Sequence, residues 1–91
     1  MKTVICYDSP DDSRRLKIAN ILDDFGDRVQ KSVFVAILDR EKIARLVKRL
    51  NYIIDKEEDD IRIYSLCSEC EKKAIYLGKA KPYSVPEYYI L

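Results

Sequence analysis

Arg28-Val29-Gln30-Lys31-Ser32-Val33-Phe34-Val35-Ala36-Ile37-Leu38 is the segment on which the topology turns. Val33, Val35 and Ile37 alternate with Phe34, Ala36 and Leu38, so the segment reads as β. Its length exceeds the usual strand of about 5 to 6 residues, and a tight reversal near Lys31-Ser32 stands beside a single long strand as a reading. No Asn-Gly or Gly turn marks a reversal, so the two readings stay open on local pattern. Unsplit, the segment gives the order β, α, β, α, β, an α+β sandwich with two helices on one face of an antiparallel sheet. Split, it gives the ferredoxin-like βαββαβ arrangement.

On the N-terminal side, Thr3-Val4-Ile5-Cys6-Tyr7 favours β at every position, as in a central strand covered on both faces, and it ends at Asp8. Ser9 is the expected N-cap of a helix, with Pro10 at its first position and Asp11 and Asp12 in the first turn. Ile18, Ile21, Leu22 and Phe25 repeat at helical spacing, Leu16 and Ala19 widen the stripe, and Gly26 supplies the stop. On the C-terminal side, Asp39 caps a second helix with Ile43, Leu46, Val47, Leu50, Ile53 and Ile54 on its apolar face. Arg40, Lys42, Arg45, Lys48 and Arg49 occupy the opposite face. The acidic run 55–60 reads as a connection, residues 61–66 as a strand, and residues 74–77 as a short strand ending at Gly78. The division is one folded domain over 1–78, ferredoxin-like if the 28–38 segment splits, and a tail over 79–91. That tail carries an extra C-terminal strand, which pairs either with its own sheet or with a neighbour's exposed edge.

The 91 residues are 47% hydrophobic and 36% charged with only two Gly and three Pro, which fits one small core under an ionised surface and excludes disorder and collagen. A chain this short buries only about 60% of its unfolded surface, so a partner subunit is a natural source of added stability. The net charge of +1 hides an asymmetry: residues 1–50 carry eleven basic and eight acidic groups, residues 51–91 six and eight. Seven basic residues from Arg28 to Arg49 face only Asp39 and Glu41, a segment suited either to phosphates or to a solvated surface. No apolar run reaches the roughly 18 residues of a membrane span, and a cytoplasmic protein with no membrane partner is expected. Cys6, Cys67 and Cys70 make an odd number of cysteines without secretory features, so reduced thiols are the default. With no histidine, chemistry must rest on carboxylates, hydroxyls, thiols or a metal held by oxygen.

Asp8 is the leading candidate, because a carboxylate at the end of a central strand before a helix can hold a cation beside a phosphate. One carboxylate is too few for Mg²⁺, which takes roughly six oxygens, and a second Asp8 from a twofold-related subunit would supply another. The plainer alternative is that Asp8 only terminates the strand. Asp11 and Asp12 either join it or serve as first-turn acids. Arg14 and Arg15 either clamp a phosphodiester with their planar forks or pair with those acids. Cys67-Ser68-Glu69-Cys70 is a lone CxxC that lacks two further zinc ligands. It reads as two reduced thiols in a turn rather than a thioredoxin-type motif, which opens a helix after a strand. The tyrosines suit sheet faces and a subunit contact more than base stacking.

Val4-Ile5-Cys6-Tyr7-Asp8, Asp11-Asp12-Ser13-Arg14-Arg15, Arg28-Val29-Gln30-Lys31-Ser32-Val33-Phe34 and Asp60-Ile61-Arg62-Ile63-Tyr64 occur in that order over residues 3–66. Together they resemble the small CRISPR-associated endonuclease of the spacer-adaptation pair. The resemblance implies a ferredoxin-like homodimer in which 28–38 is a hairpin and the C-terminal tail packs on the partner subunit. It implies a nuclease dependent on Mg²⁺ (or Mn²⁺), with activity latent in some settings, acting on single-stranded RNA or double-stranded DNA. It also implies a scaffold for the CRISPR-associated integrase. Asp8 matches the catalytic, metal-binding aspartate that faces its twin across the dimer, and Tyr7, Arg15, Arg28 and Phe34 match positions around that site. With Arg14 these form the expected nucleic-acid-binding set. Lys17 stands where relatives often carry a further basic residue, keeping the charge without the bidentate fork. Two other readings remain: a non-catalytic DNA-binding assembly dimer, and a toxin-like ribonuclease outside CRISPR systems.

Overall fold

The segment 28–38 does reverse. In the computed structural model, which describes residues 1–83, β2 (Asp27–Gln30) and β3 (Val33–Ile37) are antiparallel neighbours, with Arg28 opposite Phe34 and Gln30 opposite Val33. The register shifts between Arg28 and Gln30, so Val29 is the extra residue of a bulge. Among the described residues no non-glycine has positive φ, so the turn at Lys31-Ser32 needs neither Gly nor Asn, which is why its sequence carries no such mark.

Around the hairpin lie β1 (Lys2–Asp8), α1 (Asp12–Asp23), α2 (Arg40–Ile53), β4 (Asp60–Leu66) and a short α3 (Ser68–Lys72). The strand order is β2-β3-β1-β4, and every neighbouring pair is antiparallel. This is the ferredoxin-like α+β sandwich. Thr3, Ile5 and Tyr7 of β1, with Phe34 and Ala36 of β3, are buried. They face Ile18 and Leu22 of α1 and Leu46 and Leu50 of α2 in one core, as the period-two and 3.6-residue patterns require. Gly26 ends the α1 turn, and its backbone amide donates to the Leu22 carbonyl at 3.0 Å. A Cβ at Gly26 would lie 2.3 Å from the Val35 carbonyl oxygen and 2.6 Å from Ala36 Cβ, so glycine here serves close packing against β3.

Three sequence expectations are corrected. The cap of α1 is Asp11, not Ser9: the Asp11 carboxylate accepts the Arg14 backbone amide at 2.8 Å, and Pro10 lies before the helix. Ser9 is unavailable because it is buried and its hydroxyl donates to Asp59 at 2.6 Å. Residues 74–77 form no strand: they pair with no strand among the described residues, and Ile75 and Leu77 are exposed, so no ladder bonds offset the cost of ordering them. The CxxC pair does not sit in a β-turn, since Cys67 follows β4 and caps α3.

The sheet face away from α1 and α2 presents Lys2, Val4 and Cys6 of β1. Through Tyr83 the chain lies over this face of its own sheet, with Lys2 Nζ donating to the Tyr83 carbonyl at 3.2 Å and the Tyr83 hydroxyl donating to Asp27 at 2.7 Å. The remainder of the expected tail strand, residues 84–91, lies outside the described residues. No described helix is long and apolar enough to cross a membrane.

Candidate functional site

Asp8 is the last residue of the central strand, exposed and directly opposite Asp60, the first residue of β4. Alternation places both on the face away from the helices, since Ile61 and Ile63 pack on the helix-side core. Directly opposed like charges oppose sheet pairing, and side chains opposed in this way stand about 5 Å apart at Cβ. Asp60 is partly compensated by Arg62 at 3.3 Å. Two hard carboxylates side by side fit the oxygen preference of Mg²⁺ or Mn²⁺. Among the described residues no third acidic, histidine or cysteine side chain completes a cluster.

The turn after Asp8 is held by Asp59, whose side chain is wholly buried. Asp59 accepts the Ser9 hydroxyl at 2.6 Å, Arg14 Nε at 2.8 Å and the Asp55 amide at 2.9 Å. Burial pushes its carboxyl up, but the bonds from Ser9, Asp55 and Arg14 outweigh burial and hold it below its ordinary value. The hydrogen bond to Asp59 raises Arg14 in turn, aided by the charges of Asp59, Asp11 and Glu58. Arg14 thus ties the β1–α1 turn to the α2–β4 connection, and its guanidinium is engaged by the fold instead of being presented to a phosphate.

Arg15, one residue on, points elsewhere. It donates to the Ser9 carbonyl at 3.1 Å and pairs with Asp12 on one rim of an open groove of about 270 Å³ between α1 and the β2–β3 hairpin. Arg28 and Lys31 line the groove, with Leu16 and Ala19 as an apolar wall. The Arg28 guanidinium lies over the Phe34 ring, 5.2 Å from its centroid, and donates to the Tyr7 hydroxyl at 3.4 Å. The Tyr7 hydroxyl in turn donates to the Lys31 carbonyl at 3.4 Å. Tyr7 and Phe34 are therefore core groups beneath Arg28, with Phe34 fully buried, and Arg15 and Arg28 form the accessible surface. Neither Arg28 nor Lys31 has an ion-pair partner among the described residues.

The groove and Asp8 lie at the same end of the sheet, where the Tyr7 amide meets the Ser32 carbonyl at 3.1 Å, but on opposite faces. The structure thus brings Tyr7, Arg15, Arg28 and Phe34 together, leaves Asp8 across the sheet from them, and diverts Arg14 to Asp59. Sequence pattern singles out neither Lys31 nor Asp60 as a site residue: Asp60 depends on strand register, and Lys31 is one of the seven basic residues from Arg28 to Arg49. A second positive surface lies on α2, where Lys42, Arg45 and Arg49 flank a groove of about 350 Å³. There Arg49 stacks over Phe25 and pairs with Asp24 at 2.9 Å.

The family described as CRISPR associated protein Cas2 matches residues 1–74. The CRISPR-associated endoribonuclease Cas2 4 of Rhodospirillum rubrum is 41% identical over 88 residues, covering 97% of this chain and 71% of that one. The crystal structure of Streptococcus pyogenes Cas2 at pH 6.5 superposes with a TM-score of 0.73 at 30% identity, covering 86% of this chain and all of that one. A chain of a partial Cas6-RT-Cas1--Cas2 complex superposes with a TM-score of 0.74 at 29% identity, covering 93% and 98%.

Proposed function

The chain belongs to the CRISPR associated protein Cas2 family, and from that premise we propose that it is a metal-dependent endonuclease of spacer acquisition that also scaffolds the CRISPR-associated integrase. One observation carries the reading: the exposed Asp8 ends the central strand opposite Asp60, at the same end of the sheet as the Arg15–Arg28–Lys31 groove. The name of the Rhodospirillum rubrum relative supports nuclease chemistry, and the likeness to a chain of a Cas1-containing assembly supports the integrase partner.

The working unit is a homodimer in which the Asp8 carboxylates of two copies approach each other across the exposed strand ends. When bound there, Mg²⁺ or Mn²⁺ supplies a water of lowered pKa and offsets charge on the phosphodiester oxygens. The Asp8 carboxylate would supply anionic oxygens to hold that ion, with Asp60 beside it. Arg15 and Arg28, on the other face at that end of the sheet, hold a neighbouring backbone phosphate of the same nucleic acid with planar forks, and Arg28 is already held over Phe34, so little side-chain freedom is lost on binding. The basic face of α2 adds salt-sensitive, sequence-independent attraction to double-stranded DNA or single-stranded RNA.

The likeness to the Cas1-containing complex also favours a second reading, a non-catalytic assembly dimer. Cleavage of both substrates by wild type and Asp8→Asn, with Mg²⁺ and with EDTA, separates the two. The nuclease reading expects a loss on the order of 100-fold with the substitution and with EDTA. Cleavage that persists under either change overturns it. Absence of cleavage with salt-sensitive duplex binding retained leaves the assembly dimer.

A further inference from the structure

The two cysteines of the CxxC sequence are exposed and their sulfurs share a hydrogen bond at 3.4 Å. The Cys70 backbone amide also donates to Cys67 Sγ at 3.4 Å. Cys67 leaves β4 and caps α3 while Cys70 sits inside that helix, so the chain holds both thiols on one side of a single turn. This is the strand-to-helix setting whose expected absence argued against exchange chemistry at the sequence level.

We propose that Cys67 and Cys70 form a site of thiol–disulfide exchange for exposed low-molecular-weight disulfides, with Cys67 as the attacking sulfur and Cys70 as the resolving one. The asymmetry follows from the hydrogen bonds. The amide and then the side chain of Cys70 lower the Cys67 thiol below its ordinary value, and the bond to Cys67 together with its charge raises Cys70. The thiolate, not the thiol, is the nucleophile.

The Cys67 thiolate attacks one sulfur of RS–SR, the Cys67–SR bond forms, the RS–SR bond breaks, and one RS⁻ departs. Cys70 then loses its proton and attacks the Cys67 sulfur, forming the Cys67–Cys70 bond and expelling the second RS⁻. The two protons released by the cysteines end on two RSH. The pair is oxidised by two electrons and the small disulfide is reduced by two. The sulfurs need only close from 3.4 Å to about 2.05 Å. Closure ties the end of β4 to α3, the element that Glu71 fastens to Lys2 through an ion pair at 2.9 Å.

The test exposes the reduced full chain to oxidised glutathione at neutral pH and maps the products by intact mass and peptide mass. Wild type is expected to lose two thiols as a Cys67–Cys70 link, with the half-buried Cys6 still open to alkylation after unfolding. Cys70→Ser is expected to trap one glutathione on Cys67, and Cys67→Ser to react on the order of 10-fold more slowly. Both side chains are exposed, so neither substitution removes core packing. Three retained thiols, a disulfide that includes Cys6, or equal rates for the two variants would each overturn the proposal.

Discussion

Arg14 and Arg15 are adjacent in sequence and belong to two differently built regions. Around Arg14 the charges are closed in on themselves: the buried Asp59 takes three donors and binds two connections together. Around Arg15, Arg28 and Lys31 the positive charge faces an open groove, and Asp12 is the acidic residue lining it. Residue type does not separate a structural arginine from an interface arginine. What separates them is whether the chain itself supplies a desolvated carboxylate.

The largest effect is expected at Phe34, which serves both regions as core and as the platform for Arg28. Phe34→Ala is expected to cost about 3 to 5 kcal/mol in urea unfolding and to weaken nucleic-acid binding as well. Asp59→Asn is expected to cost about 2 to 3 kcal/mol while leaving nucleic-acid affinity within about twofold, because it orphans donors within the fold and touches no groove residue. Its pH signature has a definite sign. A carboxyl held below its ordinary value contributes stability that is complete above about pH 4 and is lost as pH falls through the folded-state value. Wild type should therefore lose stability in acid more steeply than Asp59→Asn. Arg14→Gln should follow with a smaller loss in thermal unfolding than Asp59→Asn, with the salt dependence of binding unchanged. Arg28→Gln should show the reverse, a salt-dependence slope smaller by about one and a stability change within about 0.5 kcal/mol. If Arg14→Gln and Arg28→Gln both shift the slope, the division between the two regions fails.

Much of the fold was legible because the apolar pattern is local. Ile18, Ile21, Leu22 and Phe25 marked α1, and the alternation from Val33 to Leu38 marked β3. The hairpin was undecided from pattern because the Lys31-Ser32 turn uses no positive φ, and it was the family resemblance that favoured the split. Ser9 looked like a cap because its actual partner, Asp59, is fifty positions away inside an acidic run that reads as solvated. Asp8 was legible at the end of an apolar strand, whereas Asp60 depends on β1–β4 register and Lys31 on how the hairpin folds beside α1. The five-residue α3 has no apolar period to announce it, and its cap is a cysteine, which local rules do not favour.

The most direct test of the proposed metal chemistry is the number of Mn²⁺ ions bound at equilibrium by wild type and by Asp8→Asn, with the mass of the assembly measured in the same solution. One ion per two chains is expected, lost in Asp8→Asn. One ion per chain, or binding that survives the substitution, would contradict a site shared by twin Asp8 carboxylates.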